Sequence, residues 1–317
     1  MTEVGLLNYP GAQQAALHGL TDLFRVSTQM AKQHGGAGFR VTHWVMQEQR
    51  MVCSFDSEPG RDFEPAVVIA PGTMEGVPPF PNMEPCLDWL RERHRKGVTV
   101  CSVCGGAFVL AGAGLLDGRK GTTHWMFARQ LAELYPKVMV DSDQLLIEDG
   151  DIITAGGVMA WVDLALKLVH RFAGPSVMLE TARFFLVDPA GREQRFYSTF
   201  TPNLTHGDEL VLQLQHWLQQ NYAENQSIAE LADKIQMSER TLLRRFQKAT
   251  GFKPTEYVQS LRVGKAREAL EFSTDTVNEI AWKVGYEDPS AFRKVFRKII
   301  GVSPSDYRRR FSPAGMN

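Results

Sequence analysis

Short apolar runs closed by Gly, Pro or Asp recur through residues 1–185, with amphipathic stretches between them. The runs "EVGLLNY" (3–9), "RVTHWVM" (40–46), "PAVVIAPG" (65–72), "GVTVCSV" (97–103), "GTTHW" (121–125) and "DIITAGG" (151–157) predict strands. In "LHGLTDLFRVSTQMAKQ" the side chains of Leu17, Leu20, Leu23, Phe24 and Met30 share one helical face. "MEPCLDWLRERHRKG" ends in a basic turn before Gly97, and "VMAWVDLALKLVHRFAG" runs to Gly174; both are ordinary helix stops. Strands alternating with helices predict a mostly parallel sheet covered on both faces.

The pattern changes at "LVDPAGREQRFYSTFTPNLTHG" (186–207), which loses its period and gathers Pro, Gly, Thr and Asn. From Asp208 onward the chain reads as consecutive helices without a strand signal. The expected organisation is an α/β domain over 1–187, a linker over 188–207 and an all-α domain over 208–317.

The all-α region repeats itself. Ile228, Leu231, Ala232 and Ile235 recur as Val277, Ile280, Ala281 and Val284, 49 residues on. Leu242, Phe246, Gly251, Pro254 and Tyr257 recur as Phe292, Phe296, Gly301, Pro304 and Tyr307, 50 residues on. Each copy opens with a capping-box pattern, Ser227 with Glu230 and Thr276 with Glu279. A short helix follows, then a tight turn at Gln236–Met237 or Gly285–Tyr286, and Ser238 or Asp288 caps a second helix. That is the anatomy of a helix-turn-helix, present twice.

Charge strengthens this reading. The formal net charge of the 317-residue chain is −1. Residues 1–207 hold 18 Lys and Arg against 22 Asp and Glu, whereas residues 240–310 hold 16 against 8. The excess cations fall on the second helix of each copy: Arg240, Arg244, Arg245 and Lys248, then Arg293, Lys294, Arg297 and Lys298. A helix with an apolar back and an arginine front suits a major groove, where Arg reads guanine edges and grips phosphates. Ser238, Thr241 and Ser290, at the helix starts, complete the expected DNA-binding set. A bundle with solvated basic faces is the alternative, and the tandem repeat argues against it.

These segments, "SIAELADKIQMSERTLLRRFQKATGFKPTEYV" and "IAWKVGYEDPSAFRKVFRKIIGVSPSDYRRR", resemble the AraC family of transcription regulators over residues 210–310. The resemblance implies seven helices, with a long helix at about Pro254–Phe272 joining two helix-turn-helix units. It also implies recognition helices near 239–249 and 289–299 that enter successive major grooves of double-stranded promoter DNA.

The remaining chemistry lies in "VTVCSVCGGAFVLAGAGLLDGRKGTTHW" (98–125). Its glycines lack GxGxxG spacing and end a helix rather than follow a strand, which argues against a dinucleotide loop. Cys53, Cys86 and the histidines supply no second pair of zinc ligands, so neither a metal nor a cofactor is expected. Cys101 lies inside a β-run, and only Cys104 reaches the turn. A strand, then Cys104-Gly105-Gly106, then a helix has the layout of a nucleophile elbow, with His124 a candidate base at the end of "GTTHW". Redox use of the CxxC stays open.

"VVIAPG", "VCGGAFVLAGAGLLDGRKGTTHW" and "DIITAGGVMAWVDLAL" resemble the PfpI-like, class I glutamine amidotransferase-like superfamily over residues 3–185, which implies a flavodoxin-like sheet. With the AraC-like tail, the whole chain resembles GlxA-type regulators. Enzymatic and peroxide-sensing members of the superfamily bring a Glu from the first helix to the cysteine. Here "GAQQAALHG" offers Gln13, Gln14, Ala15 and Ala16, with no acid. No catalytic residue is therefore expected, Cys104 and His124 being vestigial candidates. The expected role is a small-molecule pocket at the strands' carboxyl ends, lined by Gly72, Thr73, Cys104, Gly105, His124, Gly156 and Gly157. A dimerisation domain without ligand and a cysteine-dependent hydrolase or amidase are the alternatives.

Composition adds limits. Hydrophobic residues at 44% and charged residues at 22% suit a globular chain with an ample core. No apolar run approaches the ~18 residues that span a bilayer, and no secretory signal is evident. Four cysteines are too few for a disulfide scaffold. The expectation is a cytoplasmic, homodimeric regulator without membrane contact. It would be an activator that engages RNA polymerase, with an effector that the family resemblance places among amino acids and amines.

Overall fold

The computed structural model describes residues 1–60, 65–77, 81–188 and 193–312. The chain divides into two compact units, residues 1–194 and 195–317. Residues 189–192, within the expected linker, and 313–317, at the end of the expected second domain, lie outside the described residues.

The first unit runs β1 (Thr2–Asn8), α1 (Gln14–Gln33), β2 (Phe39–Gln47), β3 (Arg50–Asp56), β4 (Val67–Ala70), α2 (Glu84–Arg95), β5 (Thr99–Val103) and α3 (Gly106–Gly112). It continues with β6 (Lys120–Gly121), α4 (Ala128–Leu134), β7 (Met139–Val140), β8 (Leu146–Asp149), β9 (Ile152–Ala155), α5 (Trp161–Ala173) and α6 (Pro175–Phe184). Seven strands form one sheet in the order β3-β2-β1-β4-β5-β9-β8. The inner five pair in parallel, and the edge strands β3 and β8 are antiparallel to their neighbours. Its parallel part has the flavodoxin-like order, and the strand sequence reverses at β1 and β4. α1, α5 and α6 pack on one another and over β1, β2 and β9, while α2 and α3 pack over β3, β4 and β5.

Burial follows the sequence pattern. Every residue of β4 and β9 is buried, as continuous apolar runs in a doubly covered sheet should be. β3 and β8 were not legible as strands: their residues are exposed or half-buried and carry charges, as edges do. The expected strand at 121–125 is corrected. Only Lys120–Gly121 is extended, and it pairs with β7 in a separate two-stranded sheet. Beyond it the buried Thr122 and Thr123 bond to β9 and to the elbow outside any ladder: Thr154 Oγ1 accepts the Thr122 N–H at 2.8 Å, and Thr123 Oγ1 donates to the Cys104 carbonyl at 2.8 Å. A 3-10 turn over Trp125–Phe127 follows.

The second unit holds α7 (Glu209–Gln220), α8 (Ile228–Lys234), α9 (Glu239–Thr250), α10 (Pro254–Phe272), α11 (Val277–Lys283), α12 (Pro289–Ile300) and α13 (Pro304–Phe311), seven helices among the described residues. Two apolar cores lie along it. One joins Val211, Leu214, Leu218, Leu231, Leu242, Phe246 and Tyr257; the other joins Val263, Leu270, Ile280, Phe292, Phe296 and Tyr307. The long α10 supplies Tyr257 to the first and Val263, Ala266 and Leu270 to the second, so the repeat in sequence becomes a repeat of cores on one shared helix.

Gln194 departs from the linker reading. It is 2% exposed and packs within the first unit, where its Nε2 donates to Thr122 Oγ1, the Thr123 carbonyl and the Gln144 carbonyl at 2.9–3.0 Å.

Candidate functional site

The elbow exists. Cys104 joins β5 to α3 with φ +50°, a left-handed conformation unusual for a side chain with a β-carbon. The turn is tight because Gly106 lies against β4: a β-carbon there would come within 2.3 Å of the Ala70 carbonyl oxygen. Such strain persists where surrounding structure imposes it, and it marks sites worth examining.

Its surroundings do not activate the thiol. Cys104 is 1% exposed. Burial pushes its pKa up to about 11, although the backbone N–H groups of Gly105 and His124 pull the other way. His124 offers its backbone N–H here, and its ring lies against Trp125 and Phe127. Nδ1 accepts the Met126 N–H at 3.2 Å, and burial lowers the ring's pKa. His124 caps a 3-10 turn through Nδ1, so that lone pair is engaged, in keeping with the expectation that Cys104 and His124 are vestigial candidates only.

The acid's place is held by an amide. Gln13 precedes α1, 7% exposed, and its Oε1 would lie 3.4 Å from a β-carbon on Gly72, which itself would touch the Cys104 β-carbon at 3.2 Å. Among the described residues that buried oxygen has no hydrogen-bond partner. The loops after β1 and β4 are stitched together around it. The Gln13 N–H donates to the Gly72 carbonyl at 2.7 Å, Ala12 bridges Thr73, and the Tyr9 hydroxyl donates to the Pro71 carbonyl at 2.6 Å. Gly72, Thr73, Cys104 and Gly105 thus gather at the reversal point of the sheet, where open α/β sheets bind ligands. Gly105 faces Thr73, since a β-carbon would meet Thr73 Cγ2 at 2.6 Å.

Gly156 does not line an open space. A β-carbon there would fall 1.8 Å from Gln194 Nε2, so the missing side chain admits Gln194 rather than a ligand. Gly157 has only ordinary contacts, with Leu145 and Ala160. Gln13 and Gln194 are the residues that motif reasoning passed over. Gln13 stood in the segment searched for an acid, and its amide was the signal.

In the second unit both helix-turn-helix copies form. Both capping boxes are closed, at Ser227/Glu230 and Thr276/Glu279. Ser238 and Asp288 cap α9 and α12, and Gly251 and Gly301 end them in left-handed conformations. The buried faces correspond position by position: Leu242, Phe246 and Thr250 against Phe292, Phe296 and Ile300. Opposite them Ser238, Arg240, Arg244 and Lys248 are exposed on α9, with Thr241 half-buried. On α12, Ser290, Arg293, Lys294, Arg297 and Lys298 are all exposed.

Arg245 is the exception among the expected DNA-binding residues. Its Nε and Nη2 donate to the two oxygens of Asp208 at 2.9 and 2.6 Å. Asp208 also caps α7 by accepting the Val211 N–H, and the guanidinium holds its carboxyl below the usual range. The repeat explains this: position 245 corresponds to Val295, which packs on the second core. Arg245 therefore ties α9 to α7. Arg293 is held differently, donating to Asn278 Oδ1 at 2.6 Å from the exposed surface.

A helix-turn-helix domain model matches residues 231–310, and the DJ-1/PfpI family model matches residues 26–171. The HTH-type transcriptional regulator CdhR of Pseudomonas aeruginosa is 31% identical over 237 residues, covering 74% of this chain and 70% of the relative. The chain belongs to the AraC-type transcription regulators with a DJ-1/PfpI domain. Other regulators of this architecture include GlxA of Rhizobium meliloti, 30% identical over 231 residues, 70% of this chain and 68% of that one. GbdR of Pseudomonas aeruginosa is 28% identical over 289 residues, 89% of this chain and 78% of that one. As an AraC-type regulator the chain is a DNA-binding protein. The expected flavodoxin-like sheet and helix-turn-helix tail agree with the fold, and the hydrolase alternative gives way. Among the described residues no helix is long and apolar enough to cross a membrane.

Proposed function

We propose that this regulator is cytoplasmic and dimeric, binds promoter DNA through α9 and α12, and takes a small effector at the Gln13–Cys104 elbow of its first unit without turning it over. The single observation that carries the DNA reading is the duplicated helix with an apolar back and exposed cations in front: Arg240, Arg244 and Lys248 on one, Arg293, Lys294, Arg297 and Lys298 on the other. Such a pair grips phosphates and reaches base edges from one face of the duplex. Binding of an effector changes transcription only if it prefers one state of the protein, and recruitment of RNA polymerase would make that state an activator.

The effector reading is supported by the buried Gln13 Oε1, which has no partner among the described residues and calls for a hydrogen-bond donor such as an amine or amide N–H. A raised thiol pKa and an engaged His124 support binding over catalysis. The test is retention of sheared genomic DNA by the full chain across a salt series, with Cys104→Ser alongside. The reading expects retention at low salt, loss at high salt and no change in the variant. Failure to retain DNA at any salt, with a hydrolytic turnover that Cys104→Ser abolishes, would overturn it.

A further inference from the structure

α9 and α12 are both 12-residue helices, capped at 238 and 288 and closed by left-handed glycines at 251 and 301. Both ends and the three buried positions agree at an offset of 50, so the exposed positions can be compared without ambiguity of register. Arg244 and Lys294 correspond, as do Lys248 and Lys298; cations common to both helices cannot tell one half-site from the other. The helices differ at three exposed positions, and at the first of them α9 has Arg240 where α12 has Ser290. Leu243 stands where α12 has Arg293, and Gln247 stands where it has Arg297.

The difference extends to the supporting helix. Arg293 is held by Asn278 of α11, whose counterpart in α8, at the offset of 49 that aligns those helices, is Ala229. An arginine with an amide support in one copy thus replaces a leucine paired in register with an alanine in the other. Leu243 is 38% exposed on a face otherwise made of Arg240, Arg244 and Lys248, and Gln247 is exposed beside it. In the major groove an apolar side chain meets the thymine methyl, Gln pairs with adenine N6 and N7, and Arg pairs with guanine O6 and N7.

We infer that the two recognition helices read opposite base compositions: α9, through Leu243 and Gln247, an A·T block, and α12, through Arg293 and Arg297, a G·C block. This rests on the DNA reading proposed above and deepens it. Arg240, in the first turn on the same exposed face, adds a single G·C pair at the end of that block, where α12 has Ser290.

The test is selection of bound duplexes from a random 40-base-pair library by the full chain, followed by sequencing. The wild type should enrich two blocks centred about 10 base pairs apart, one rich in A·T and the other in G·C. Gln247→Ala should lose roughly 5- to 100-fold of discrimination in the A·T block alone. Arg293→Ala or Arg297→Ala should do the same in the G·C block. The double variant L243R/Q247R, which copies α12 into α9, should turn the A·T block to G·C, and R293L/R297Q should do the reverse. Circular dichroism melting checks that each variant folds, and either reciprocal variant suffices. Two blocks of one composition, or a motif that neither reciprocal variant alters, would overturn the assignment while leaving DNA binding intact. No enrichment at all would overturn the DNA reading and this one with it.

Discussion

The elbow and the recognition helices both carry residues associated with chemistry, but they present them to opposite environments. Cys104 is strained and buried beside an amide oxygen that has no partner among the described residues, with its thiol held protonated. The cations of α9 and α12 stand in water on a repeated frame, their backs fixed by Phe246 and Phe296. The comparison teaches that a reactive residue type is a weak indicator until its partners are known. A cysteine at a nucleophile turn without an acid is poorly placed for catalysis, whereas exposed cations repeated in register, Arg244 with Lys294 and Lys248 with Lys298, are well placed for a polyanion.

The largest expected effect breaks the frame itself. Phe246→Ala or Phe296→Ala removes a fully buried ring from one of the two helical cores, which costs about 3–5 kcal/mol. Hydrogen exchange should show lost protection in α8 and α9 for the first variant, and in α11 and α12 for the second. Equal loss in all four helices from both variants would show one cooperative core instead of two.

Next come the exposed cations. Arg244→Ala and Arg293→Ala should each weaken binding to selected DNA by at least ~1 kcal/mol, the scale of a base-directed arginine. Wild-type affinity in both would sink the recognition-helix assignment. Arg245→Ala sharpens the contrast within α9. Losing its two-pronged contact with Asp208 should lower the melting temperature only slightly, because the pair is partly solvated. The salt dependence of DNA binding should stay unchanged, and a shallower salt slope would make Arg245 a phosphate ligand after all.

The smallest effects belong to the elbow. Cys104→Ser should leave DNA affinity unaltered in the absence of effector. Alkylation by iodoacetamide, mapped by mass spectrometry, should remain negligible at Cys104 up to pH 9 and rise only toward pH 11. Burial raises the folded thiol's pKa above its ordinary 9.0, so the neutral thiol is the form the fold prefers. Its contribution to stability is complete below pH 9 and is lost as the pH climbs through about 11. Rapid alkylation of Cys104 at pH 7 would restore an activated nucleophile.

Much of the fold was legible because it was written in periods. β4, β5 and β9 are apolar runs with sharp ends, and α10 matches its expected span, Pro254–Phe272. The helix-turn-helix units were legible twice over, since the repeat fixed caps, turns and buried faces together. Edge strands β3 and β8 escaped because they are short, exposed or half-buried, and break their apolar residues with Arg50, Ser54, Asp56, Glu148 and Asp149. "GTTHW" misled because its threonines have strand propensity, yet the Thr122 N–H donates to Thr154 Oγ1 and the Thr123 hydroxyl to the Cys104 carbonyl rather than joining a ladder. At the sites, residue type was readable and partnership was not. Arg245 looked like its neighbours until Asp208, 37 residues away, claimed it. Gly156 looked like a ligand-site glycine until Gln194 filled its space.

The central claim, that exposed cations on two repeated helices make this chain a DNA-binding regulator, is tested most directly by the salt dependence of affinity. The measurement uses the full chain and a duplex enriched by it from genomic DNA. The account predicts that affinity falls at least about 100-fold between about 50 and 200 mM salt, and that Arg244→Ala and Arg293→Ala each weaken binding. Salt-independent binding, or full affinity in both variants, would contradict it.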